Sequence, residues 1–84
     1  MFKAISKVLS VVIILMDNDS TRIAPEKLSV YASLINQCGD DIDEQCVAAY
    51  EIAKDVSILR LNDMSQSDFM GRVFSSFSEI DRQA

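Results

Sequence analysis

The segment Val8-Leu9-Ser10-Val11-Val12-Ile13-Ile14-Leu15-Met16 is apolar on every face of a helix apart from Ser10. A helix at the surface of a small domain normally shows one apolar stripe and one polar face. This segment has no solvent side. Something must cover it: the chain's other helices, a second copy, a partner or a membrane. In a chain of 84 residues that requirement constrains the fold more than any other feature.

Membrane readings fail on length and flanks. A spanning helix needs roughly 20 apolar residues, and this run is nine residues long with Ser10 included. Lys3 and Lys7 precede a stretch long enough for a secretory signal. However, Asp17-Asn18-Asp19 follows it, where a signal would carry a small-x-small cleavage site. A structural helix in a cytoplasmic, non-membrane protein is the expectation, with a secreted helical protein as the alternative.

The length implies a single domain, residues 1–84. Chains this short fold alone but sit near the margin where self-association or a partner helps. An apolar fraction of 49% is ample for a core, and two glycines and one proline are too few for a turn-rich β protein. The net charge is −5 and the eight basic residues form no run. Phosphate contact needs clustered Lys and Arg, so direct nucleic-acid binding is not expected.

Four segments carry helical spacing, and a compact all-α bundle of about four to five helices with a hydrophobic N-terminal helix is predicted. The first spans about Phe2 to Met16, before the polar break Asp17-Asn18-Asp19-Ser20-Thr21. Pro25 suits the first turn of a second helix. Leu28, Tyr31, Ile35 and Cys38 form its stripe, flanked by Leu34, and Gly39 stops it in a left-handed conformation. Asp41 and Glu44 form an acidic capping box for a third helix. Its stripe is Cys46, Ala49, Tyr50, Ala53, Val56 and Leu59, and Ala48, Ala49 and Ala53 permit close approach. Asn62-Asp63 interrupts it. Ser65 and Asp68 open a fourth helix with the stripe Phe69, Val73, Phe77 and Ile80, widened by Met70 and Phe74. No stretch alternates with the period of a strand.

The chain has no histidine. That removes Ser-His-Asp and Cys-His catalysis, most zinc sites and the usual proton shuttle. Two glycines cannot build a phosphate loop. Asp17 to Leu28 begins like a calcium loop, but Arg22 stands where glycine should and Leu28 where a bidentate Glu should. Cys38 and Cys46 lack a zinc spacing and read as buried free thiols, with a short-loop disulfide open only in an oxidising compartment. Asp40, Asp41, Asp43 and Glu44 cluster where a helix macrodipole favours negative charge. No enzymatic activity, cofactor or metal is expected.

The order of features resembles that of the T4-type phage anti-sigma proteins, the AsiA-like family. Those proteins are small, acidic and all-helical. Ser10-Val11-Val12-Ile13-Ile14-Leu15-Met16 resembles the end of the family's first helix. Val30-Tyr31-Ala32-Ser33-Leu34-Ile35-Asn36-Gln37-Cys38-Gly39 resembles the close of its second, and Met64-Ser65-Gln66-Ser67-Asp68 the polar start of a later one. About half the chain is covered. The resemblance implies a transcription regulator that binds region 4 of the host primary RNA polymerase sigma factor. It also implies a first helix used both for that and for a homodimer when free. By position Val11, Ile14 and Leu15 match apolar contact residues there. They lie at i, i+3 and i+4 with Val8 one turn back, a spacing that suits a groove. The chain departs from the family at Lys7 and Asp17, whose charges are reversed, and in a shorter C-terminal part.

Protein–protein binding is the expected activity. Burying three aliphatic side chains supplies roughly 5–8 kcal/mol of gross transfer energy, much of which association entropy removes. The alternative is an immunity or anti-defence type inhibitor that meets a basic enzyme through Asp40, Asp41, Asp43 and Glu44.

Overall fold

The computed structural model describes residues 2–16, 24–56 and 64–83. Among them are four helices and no strand: α1 (Phe2–Met16), α2 (Pro25–Asn36), α3 (Ile42–Val56) and α4 (Gln66–Gln83). The polar break at Asp17–Thr21, the Asp17-to-Leu28 calcium comparison, Leu59 and the Asn62-Asp63 interruption fall wholly or partly outside the described residues.

The helix ends follow local chemistry. Pro25 sits in the first turn of α2, where its missing N–H costs nothing. The helix ends at Asn36, so Cys38 lies in the following turn and not on the helical stripe. The backbone N–H of Gly39 donates to the carbonyl of Asn36 at 3.1 Å. Gly39 adopts φ +63°, the left-handed conformation that only glycine enters without a Cβ penalty. Asp41 Oδ1 accepts from the backbone N–H groups of Asp43 and Glu44 at 3.1 and 3.2 Å and so caps α3. Ser65 Oγ caps α4 in the same way, accepting from Asp68 N–H at 3.1 Å.

The core lies where all four helices meet. α1 packs most extensively on α2 and α4, and α3 closes against α4. Phe69, Val73 and Phe77 of α4 are fully enclosed, with Ile52, Ala49 and Ala53 of α3 and Ile35 and Ala32 of α2. The small side chains at 49 and 53, expected to permit close approach, are fully buried. Tyr50 and Phe69 meet as tilted rings 6.0 Å apart. Phe74, expected to widen the stripe of α4, is turned to solvent, as is Leu34 on α2.

Candidate protein-binding surface

A helix apolar on every side can turn any face inward, so the face α1 buries is informative. Ala4, Val8, Val11, Ile14 and Leu15 point into the core, with Val12 at its margin. Two polar side chains go in with them. Lys7 is only 3% exposed, and Ser10 is buried beside it. Each is matched. Lys7 Nζ donates to Gln45 Oε1 of α3 at 2.6 Å and lies 2.9 Å from Asp81 Oδ1 of α4. It also stands 5.4 Å from the centre of the Phe77 ring, within cation–π range. Gln45 in turn donates through Nε2 to the carbonyl of Gly39 at 2.6 Å, so the network reaches the α2–α3 turn. Ser10 and Ser76 of α4 share a hydrogen bond.

The opposite side of α1 carries Leu9, 43% exposed, and Ile13, 62% exposed, one turn apart. The residues expected to contact a partner lie on the other side. Val8, Val11 and Leu15, expected to contact a partner, are closed inside the bundle, where they touch other helices of the same chain. Ile14 is nearly so at 8%, but it reaches the wall of a shallow 810 Å³ groove between α1 and α4. Ser67, Gly71 and Ser75 line the far side of that groove. The spacing of 8, 11, 14 and 15 does mark one face. In a sequence apolar on all sides, spacing does not say whether that face is inner or outer.

The acidic residues divide by task. Asp41 is occupied as the cap of α3. Asp40, Asp43 and Glu44 are exposed beside it. Asp40 edges a polar cleft of 320 Å³ that also holds Lys3, Lys7 and Asp81. Among the described residues no group of three or more acidic or thiol side chains is placed to hold a metal ion.

Cys46 is buried and Cys38 half-buried, both as free thiols. Burial pushes the Cys46 thiol up, and Asp43 adds to this while Lys7 opposes it. Burial likewise raises Cys38, with Glu44 and Asp41 adding to it. Neither is poised as a thiolate nucleophile. Tyr31 of α2 donates its hydroxyl hydrogen bond to Asp55 of α3.

Sequence reasoning missed the inward Lys7, which it read as a flanking charge. It also missed the outward pair Leu9 and Ile13. No helix among the described residues is long and apolar enough to cross a membrane. No family model, curated protein or solved structure matches the chain.

Proposed function

We propose that this chain acts by binding another protein and catalyses no reaction. It would be a cytoplasmic, AsiA-like anti-sigma regulator that docks α1 on region 4 of a primary sigma factor and pairs with itself when free. The observation that supports this reading is Ile13, 62% exposed beside Leu9 on one face of α1. Two adjacent aliphatic side chains held in water on a helix otherwise committed to the core are a docking strip for an apolar groove. Val8, Val11 and Leu15 support that strip from beneath.

Magnitudes shape the proposal. Covering the exposed parts of Leu9 and Ile13 supplies roughly 2–3 kcal/mol of gross transfer energy. Association costs about 4–15 kcal/mol in lost freedom. The strip therefore anchors a wider contact, and the homodimer is weak and concentration-dependent. A partner with a deeper groove displaces it, because both use the same surface.

Light scattering at two protein concentrations, followed by titration with isolated sigma region 4, tests this. Concentration-dependent dimers that region 4 converts to a one-to-one complex are expected, with both lost in Ile13→Asp. A chain monomeric at every concentration and silent toward region 4 overturns the reading.

A second reading, an inhibitor of a basic enzyme, draws on the exposure of Asp40, Asp43 and Glu44. Under it, charge reversal at Asp43 and Glu44 weakens binding and flattens its salt dependence, while Ile13→Asp changes nothing.

A further inference from the structure

The inner face of α1 carries Ala4, Lys7, Val8, Val11, Ile14 and Leu15. One residue further along lie Ile5, Val8, Leu9, Val12, Leu15 and Met16, every one of them apolar. A turn of α1 by about 100° about its own axis would centre that second set on the core, bringing in Ile5 and Leu9 beside Val8, Val12 and Leu15, which are already buried. The same turn would carry Lys7 and Ser10 toward water beside Lys3 and Ser6, with Ile14 the large apolar residue among them. By hydrophobic patterning alone the turned arrangement is the better amphipathic helix. The structure adopts the other one, with an ammonium group inside the bundle.

Removing a lysine from water is costly unless its partners are well placed. Here they are: Gln45 from α3, Asp81 from α4 and the Phe77 ring all meet Lys7. Gln45 is itself held by the Gly39 carbonyl. The Ser10–Ser76 hydrogen bond lies on the same side of α1, one turn along. None of the bonds made by Lys7 and Ser10 survives the turn, because both side chains leave the interface.

We infer that Lys7, held by Gln45 and Asp81, is a rotational lock that fixes which apolar stripe α1 shows to the outside. Buried polar groups that specify register at the expense of stability are known devices in helical assemblies. Lys7, Gln45 and Asp81 are thus positioning residues: they keep Leu9 on the outer side beside Ile13. The lock stands on the geometry of the free chain. Its consequence for docking rests on the function proposed above.

The test removes the partners of Lys7 and leaves α1 intact. Single reporters, Leu9→Cys or Ile14→Cys, are placed in the parent chain and in Gln45→Met/Asp81→Ala. Maleimide labelling of the folded monomer is then read by peptide mass spectrometry. Trypsin cuts after Lys7 and Arg22, so each reporter is scored apart from Cys38 and Cys46. In the parent, Leu9→Cys labels faster than Ile14→Cys by about 10-fold or more, the protection a packed helix confers.

Without the lock the order reverses, and Leu9→Cys becomes slower than in the parent. Unfolding cannot produce that slowing. Adding Lys7→Met restores the parent order, since the inner face is then apolar as it stands. An unchanged order in Gln45→Met/Asp81→Ala overturns the inference, because packing alone then sets the rotation. Fast labelling at both reporters with loss of helical circular dichroism also overturns it, since α1 then has no second register to enter. Neither outcome touches sigma binding, which is measured separately.

Discussion

α1 and α4 are both long helices against the same core, yet they are oriented by different means. α4 declares its own orientation: Phe69, Val73 and Phe77 are fully buried, while Ser67, Gly71 and Ser75 lie outside. α1 has aliphatic residues on both sides and is oriented by what meets Lys7 and Ser10. An amphipathic helix therefore needs only a core, whereas an all-apolar helix needs a polar contact to choose a face. The choice matters because it decides which apolar side chains remain for another molecule.

The largest effect that bears on this contrast is Val11→Asp. A carboxylate at a fully enclosed site costs about 4 kcal/mol or more, enough to unfold much of a domain this small. Loss of helical circular dichroism at room temperature is expected. A folded Val11→Asp monomer would show that α1 can turn this face outward, and would erase the distinction between its two sides. Next comes the lock itself. Lys7→Ala leaves Gln45 short of a partner and a gap beside Phe77, and should cost about 1–3 kcal/mol in urea unfolding. Lys7→Met fills the gap beside Phe77 but leaves Gln45 equally short of a donor, so it should cost less than Lys7→Ala, about 1 kcal/mol.

How far the sequence could be read follows the same contrast. Helix order, the caps at Asp41 and Ser65 and the left-handed Gly39 were legible because each is a local backbone matter. The inner stripe of α4 was legible because its pattern has one solution. The outward face of α1 was not, because patterning alone favours 5, 8, 9, 12 and 16 as the inner stripe, and the structure buries 8, 11, 14 and 15. Lys7 looked like a flanking charge because its partners lie 38 and 74 positions away, at Gln45 and Asp81. Phe74 looked like core because composition gives no sign that α4's stripe is already full.

A polar tie of a different kind joins α2 to α3, and alkaline pH tests it. Burial first, and then the hydrogen bond to Asp55 and its negative charge, push the Tyr31 phenol up to about 12 from 10.0. The folded chain therefore holds this proton more tightly than the unfolded one. The stabilisation is complete below pH 10 and is lost as the pH climbs from 10 to 12. Denaturant midpoints should fall over that window, with a shallower fall in Tyr31→Phe. A fall of equal depth in both proteins would assign it to other groups.

On α4, Gly71 is an exposed helical position where an added Cβ meets nothing within 4 Å. Gly71→Ala should therefore stabilise the monomer by up to about 1 kcal/mol through helix propensity alone. A thermal midpoint that falls instead would mean that α4 is not free on its outer side, and the picture of a helix oriented only by its own stripe would fail.

The smallest expected effect on stability is the most informative about α1. Ile13→Asp should change unfolding free energy by no more than about 0.5 kcal/mol, because the site is outside the core. The charge does lie in the last turn of α1, where it opposes the macrodipole, but at an exposed, salt-screened site that adds only about 0.3 kcal/mol. Set beside Val11→Asp, two residues away, the same substitution then separates the two sides of one helix. If Ile13→Asp is as damaging as Val11→Asp, position 13 is covered in the free chain and α1 has no outward apolar face. If it is silent in unfolding but shifts the light-scattering mass toward the monomer, the exposed strip is the part of α1 reserved for another chain.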